Sequence, residues 1–484
     1  MKRLKEQKEK RKNVLNNVTL IFLFLFPLFS TVYFHSSIIT LFEVITVFII
    51  FLFTIIIFSE SRKNVKYIFL YYLLCLIYLI ISYLRAQNFV SLVPNNFNYS
   101  LIKEGLTILK LITPITFLYS LYYQKIEWKK YIIVLKVWTI LISFTIIITN
   151  ILKLSLSSYT DDFITKNIFE WSINNYYQET ASKGLFMYAN QQAAFMIMLL
   201  LIFVYDFLYK NKKSIIYILA LALAMLMLGT RVSSVGGLLT LICATIFYII
   251  LKLYKKEKFN WHFLYLLIPI SIWLILLPIS PYANRNIELN LAYEINDLDI
   301  LAYGEIKENA EILDEKINYV YANYNPNYLP KVFFENYYPI KCDTEFWYNY
   351  VKNTKIEDIN YRNIEKSIIK RVIEINDNKF DILFGISNTR IQNIVNIESD
   401  FVLHYYAFGI VGALLLLFVY IFLIVNSLYN FFKYQTYYMF TITTIIILFI
   451  FSAYLTGNII NSTNIIIPFT FIASGVFISK KVDN

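Results

Sequence analysis

The chain has 484 residues, of which 58% are hydrophobic, 18% aromatic and only 16% charged, with a mean hydropathy of +0.55. Soluble domains average about 25% charged residues, so a soluble enzyme, a fibrous protein and a disordered chain are excluded and a polytopic membrane protein is left. The 44 Lys and Arg exceed the 33 Asp and Glu by 11, an excess that in a membrane protein faces the cytoplasm and anionic lipid and does not call for nucleic acid.

A helix needs about 20 apolar residues to cross the hydrocarbon core. Twelve such runs follow in order: 16–34, 38–58, 66–86, 101–122, 130–152, 186–209, 214–230, 235–253, 262–280, 401–426, 436–455 and 464–479. The first follows a basic stretch from Lys2 to Lys12 and resembles a signal peptide. No small-residue cleavage site follows it, so it is taken as an uncleaved span.

Basic residues mark alternate connections: Arg62, Lys63 and Lys66; Lys125, Lys129 and Lys130; Lys210, Lys212 and Lys213; Lys252, Lys255, Lys256 and Lys258; then Lys433, Lys480 and Lys481. The other connections hold few. Both termini are therefore predicted in the cytoplasm.

The predicted class is all-α, with twelve spans and one large, mainly helical extracytoplasmic loop between spans nine and ten. This divides the chain into 1–280, with a basic cytoplasmic N-terminus, then the loop 281–400, and 401–484. The loop carries 13 Lys and Arg against 20 Asp and Glu. Helical spacing is read over 291–318, and Thr354 with Glu357 resembles a capping box. From Tyr319 to Tyr350 runs a dense set of Tyr, Phe and Trp. These either pack a small subdomain, sit at the membrane interface or stack on sugar faces.

Charges beside spans are costly and mark candidate sites. Arg231 lies in a short turn, Gly229-Thr230-Arg231-Val232-Ser233-Ser234. It either offers a fork of donors to a phosphate or snorkels to the interface. A second cluster closes the loop: Gly385 to Arg390, then Glu398, Asp400 and His404. Asp400 and His404 share a helical face at i+4, and the group either takes a proton from a hydroxyl or is an acid-rich helix start. A third opens span six, from Lys183 to Gln192. Its amides Asn190, Gln191 and Gln192 either bind hydroxyls or join helices. Arg85, Arg285, Lys103 and Glu104 are further charges at the same face. Glu43 and Asp206 are read as structural.

Three cysteines (Cys75, Cys243 and Cys342) and three histidines (35, 262 and 404) give no metal-ligand spacing. No phosphate-binding GxxxxGK[ST] loop occurs. No cofactor is expected.

The stretches Gly184–Gln192, Gly229–Ser234, Leu383–Ile386, Glu398–Asp400 and Gly409–Gly412, in this order around a large loop, resemble the O-antigen ligase/polymerase superfamily. That family includes bacterial ligases and Wzy-type polymerases of surface polysaccharides such as capsule, O-antigen or wall-linked glycan. The resemblance covers nearly the whole chain.

It implies metal-independent glycosyl transfer at the outer face of the bacterial cytoplasmic membrane. The donor would be a glycan on undecaprenyl pyrophosphate and the acceptor the terminal sugar hydroxyl of another lipid-linked repeat unit. Arg231, with Arg390 or Arg285, would hold the pyrophosphate. Glu398, Asp400 or His404 would activate the acceptor. Arg85, Asn190 and Gln191 join the expected substrate-binding set. A flippase and a chain-length regulator are the partners implied. A ligase passing finished glycan to another acceptor, and a flippase or transporter of lipid-linked oligosaccharide, are the alternatives.

Overall fold

The computed structural model describes residues 2–93, 98–173, 175–288, 313–323, 331–354, 361–395 and 397–477. Its framework is helical, as an apolar chain without water to bind its amides requires. The first helices are α1 (Lys2–Phe29), α2 (Ser37–Ile57), α3 (Ser59–Ala86), α4 (Leu101–Gln124) and α5 (Trp128–Ile151). Ser36 caps α2 and Ser100 caps α4 through their hydroxyls, satisfying amides that have no partner within the helix. Between α5 and the next long helix lies a folded connection. It pairs β1 (Leu156–Ser157) antiparallel with β2 (Ser182–Gly184), Leu156 opposite Gly184, around a one-turn helix α6 (Tyr177–Thr180).

Next come α7 (Ala189–Tyr209), α8 (Ile215–Leu228), α9 (Gly237–Tyr254) and α10 (Leu267–Leu276), the last within a longer apolar helical stretch, Trp261–Glu288. Of the most apolar 18 residues of α7, 94% are buried, against 22% for α3. Helix α7 is therefore the central post, and its N-terminal amides sit in the middle of one end of the bundle.

The 281–400 segment contributes α11 (Leu313–Asn323), α12 (Thr344–Asn353), α13 (Tyr361–Asn376), α14 (Asp381–Phe384) and α15 (Asn388–Ile394). Val320, Phe334, Tyr338, Trp347, Ile364, Ile368 and Val372 are wholly buried together. Of the three readings of the aromatic run, packing accounts for these rings. Tyr324 and Tyr328 lie outside the described residues, as does most of 291–318. Of the pair read as a capping box, Thr354 closes α12 with its amide on the Tyr350 carbonyl, a helix whose start Asp343 caps. Glu357 lies outside the described residues.

The chain returns through α16 (Asp400–Leu416), α17 (Phe418–Tyr434), α18 (Tyr437–Thr456) and α19 (Thr463–Ala473). The tenth run is not one straight helix. It bends by 43° between α16 and α17 and kinks at Gly409, whose φ is +64°. The cause is a backbone crossing. A Cβ on Gly409 would lie 2.3 Å from the Leu383 carbonyl carbon, and one on Gly385 (φ +72°) 2.2 Å from the Ala407 carbonyl oxygen. Only glycine permits that approach. The Tyr78 hydroxyl binds both strands of the crossing, at Phe384 O (2.9 Å) and Phe408 O (3.0 Å).

Every expected apolar run contains a helix. Among the described residues eight are long and apolar enough to cross a membrane, or nine if the bent pair is one span. Among the remaining runs, α8 has only 14 residues and Thr463–Phe477 is a shorter apolar helix. The fold is that of a polytopic, all-α membrane protein.

Candidate functional site

One end of the bundle holds a cavity of about 770 Å³, where α7 and the turn before α9 begin and α8 and α18 end. Arg231, Arg285, Asn190, Gln191 and Glu398 all line it. Five residues from four distant places in the chain, each singled out for its chemistry, thus share one space.

Local sequence explains how each arrives. Helix α8 stops at Gly229, in the left-handed region at φ +68°. Thr230 and Ser233 then cap each other: each hydroxyl accepts the other's amide, both at 3.1 Å. This fixes the turn and projects Arg231 from it, at the start of a wide helical turn, Val232–Gly236. Among the described residues the Arg231 guanidinium has no ion pair or hydrogen bond, so its full donor fork is available.

Arg285 is held instead. Its Nη1 donates to the Tyr159 hydroxyl at 2.9 Å and its plane lies 4.4 Å from the Tyr159 ring centre. Tyr159 in turn donates to the Gly229 carbonyl at 2.9 Å. This relay ties the 153–185 connection to the Arg231 turn. Burial pushes the Tyr159 phenol above its ordinary value, with Arg285 opposing.

Lys183 is buried at the cavity wall, with Nζ 3.3 Å from the Thr160 carbonyl and 3.6 Å from Asp161. Gln191 donates to the Asn458 carbonyl at 2.9 Å. That contact leaves Asn190, exposed at the start of α7, facing the cavity.

Glu398 is half exposed and pairs loosely with Arg362, at 3.4 Å. Its place is set by the turn after α18: a Cβ on Gly457 (φ +69°) would fall 1.3 Å from the Glu398 carbonyl oxygen, so the two backbones touch. Behind it lies Glu365, only 5% exposed, which accepts the Glu398 amide at 3.3 Å. Burial first, then the Glu398 charge, pushes Glu365 up to about 7.

The other four expected residues stand apart from this cavity. Asp400 is buried with both oxygens engaged: the amides of Ile459 (2.7 Å) and Ile460 (3.0 Å) on one, the Asn461 side chain (3.0 Å) on the other. It fastens the 457–461 turn that carries Gly457 and Asn458. His404 does lie one turn from Asp400, as the i+4 spacing predicts. Its Nδ1 donates to the Asp400 carbonyl rather than the carboxylate, at 2.5 Å, and the ring is wholly buried.

Arg85 pairs with Asp381 at 2.6 Å and reaches the Gly385 carbonyl at 3.2 Å. Arg390 donates to the Ala86 carbonyl at 2.5 Å and stacks 4.1 Å from the Phe89 ring centre. Burial lowers the Arg390 guanidinium and raises the Asp381 carboxyl. Beside them Glu104 accepts the amide and hydroxyl of Thr389, at 2.5 and 2.6 Å. These charges hold the 381–390 segment to α3 and α4.

Sequence reasoning gave no role to Tyr159 or Arg362. Arg362 lies among the loop's many charges with nothing to set it apart, and Tyr159 is one of 41 tyrosines. Lys183 was within reach, since it opens the stretch that ends in Gln192.

A second, apolar space of about 450 Å³ runs between α7, α9 and α18, lined by Leu201, Val235, Leu239, Phe440, Leu448 and Phe451 among others. Arg231, Val232 and Leu455 line both spaces. The Arg231 guanidinium therefore stands where a polar, cation-lined cavity meets an oily groove. Among the described residues no three His, Cys, Asp or Glu side chains gather at metal-ligating range. The arrangement suits an amphiphile with an anionic head and an apolar tail.

The fold and the apolar helices are those of a polytopic helical membrane protein. The chain belongs to the family described as O-antigen ligase like membrane protein, whose model matches residues 12–482. Membership implies a glycosyltransferase-type membrane enzyme, a glycan ligase or polymerase. No curated protein and no solved structure matches the chain.

Proposed function

We propose that the protein is a polymerase of bacterial surface polysaccharide, working at the outer face of the cytoplasmic membrane on glycans carried by undecaprenyl pyrophosphate. The observation that carries this reading is Arg231 at the junction of the polar cavity and the apolar groove. In this reading the groove takes the polyprenyl tail, and the chain makes twelve passes with both termini inside.

The Arg231 fork grips the pyrophosphate bidentately, and Arg285 and Lys183 add positive charge beside it. The acceptor sugar hydroxyl enters near Glu398, with Asn190 offering amide hydrogen bonds. Glu398 takes the hydroxyl proton as the oxygen attacks the anomeric carbon. The bond from that carbon to the phosphate oxygen breaks, its electron pair leaves on the pyrophosphate, and the arginines stabilise the charge. Asp400 acts through the turn it fastens and His404 packs beneath; neither touches substrate.

The test uses purified protein in nanodiscs with undecaprenyl-pyrophosphate-linked repeat units, without added nucleotide. A ladder of lengthened glycans supports a polymerase. A single transfer to a different lipid or wall acceptor, with no ladder, supports the ligase. Movement of intact lipid-linked glycan between leaflets without transfer supports a flippase.

A further inference from the structure

A separate cleft of about 300 Å³ lies at the opposite end of the bundle, where α1, the α2–α3 junction and the α4–α5 turn meet. Helix α5 runs from this cleft (Trp128) toward the polar cavity (Ile151), a helical length of about 35 Å. Lys8, Lys12, Lys125 and Lys130 line it. Glu9, Glu60 and Glu127 line it too, leaving an excess of one positive charge. Glu9 is already paired with Lys12 at 2.7 Å.

Among the described residues, two acceptors of the inner wall have no donor. Gln124 is 4% exposed. The Thr54 hydroxyl donates to the Ile50 carbonyl at 2.8 Å and so accepts from the Gln124 Nε2 at 3.4 Å. This fixes which way the amide points. Its buried Oε1 has no partner among the described residues, and neither has the Asn16 Oδ1 beside it. Buried acceptors left unmet are costly, and both residues belong to this cleft.

We propose that the cleft binds the glycerophosphodiester headgroup of an anionic phospholipid. Lysines hold the phosphodiester, and the two glycerol hydroxyls donate to the Gln124 Oε1 and Asn16 Oδ1. Basic pockets between membrane helices bind lipid headgroups in this way. The single charge of phosphatidylglycerol matches the single excess charge of the wall. A phosphate monoester, at about −1.5 to −2, exceeds it, and a zwitterionic headgroup leaves it unanswered. The site is independent of the glycan chemistry at the other end.

The test measures the unfolding temperature of the full chain in phosphatidylcholine nanodiscs, with phosphatidylglycerol or phosphatidylserine added in equal amounts. Both additives carry one net negative charge, but only the first presents a glycerol diol. The expected result is a rise of several degrees with phosphatidylglycerol and a smaller one with phosphatidylserine. Asn16→Leu should shrink the difference, corresponding to about fivefold weaker binding of phosphatidylglycerol for one lost hydrogen bond. Lys125→Gln with Lys130→Gln should lower both rises. Asn16 is only half buried, so its variant keeps the test usable if Gln124→Leu does not fold. Equal rises with the two lipids in wild type would overturn the proposal. So would a preference unchanged in Asn16→Leu, or a rise reproduced in pure phosphatidylcholine by soluble glycerophosphoglycerol, which would assign the cleft to a free solute.

Discussion

Two groups of charges occupy the same end of the bundle and behave oppositely. Around Arg231, Arg285 and Glu398 the charges line an open cavity, and the Arg231 guanidinium has no partner among the described residues. Around Arg85, Asp381, Arg390, Glu104 and Asp400 each charge is engaged by a neighbour, and all but the partly exposed Arg85 are buried. The first group costs little to leave exposed, because water solvates it. The second is costly to break, since removing one partner strands a buried charge. Exposure and partnering, rather than residue type, separate side chains available for a ligand from those that hold the loop in place.

The contrast can be broken by mutation. The largest effect is expected from Arg231→Ala. Transfer should fall by about 10³-fold if the guanidinium stabilises the departing pyrophosphate, while the unfolding temperature stays near wild type; initial rates and a melting curve on the same preparation check both. Arg231→Lys should recover only part of the rate, since an ammonium lacks the planar fork.

Asp381→Ala should do the reverse. Stranding Arg85 costs about 3 kcal/mol of stability, seen as early unfolding and faster proteolysis of the 361–395 region. Asp400→Asn should be milder, about 1–2 kcal/mol. One carboxylate oxygen becomes an amide NH₂, which faces either the two backbone amides or the Asn461 side chain, and the 457–461 turn loosens.

The last effect concerns pH. Glu365 rises from an ordinary 4.5 to about 7 through burial and the neighbouring Glu398 charge. The folded protein therefore keeps a proton that the unfolded chain loses. That stabilisation is complete below about pH 4.5 and disappears as pH climbs through about 7. Glu365→Gln should flatten this part of the stability profile; an unchanged slope would remove Glu365 as its source.

Much of this was legible in the sequence. The apolar runs yielded the helices, because a 20-residue oily stretch has few other solutions. Arg231, Arg285, Asn190, Gln191 and Glu398, which line one cavity, were singled out because charged and amide groups at span ends stand out. What was hidden is long-range. Asp381 lies 296 positions from Arg85, and nothing local shows that their pairing withdraws both from the cavity. The i+4 spacing of Asp400 and His404 correctly places them one turn apart, but a helical period does not say which way that face points. The bend at Gly409 arises from a crossing with Gly385, again a distant contact.

The most direct test of the account is binding of undecaprenyl pyrophosphate to nanodisc-embedded wild type and Arg231→Ala, with undecaprenyl monophosphate as the control ligand. The account predicts tighter binding of the pyrophosphate by wild type and at least about tenfold weaker binding in the variant, as loss of a bidentate charged contact implies. Equal affinity of the folded variant for the pyrophosphate would contradict it.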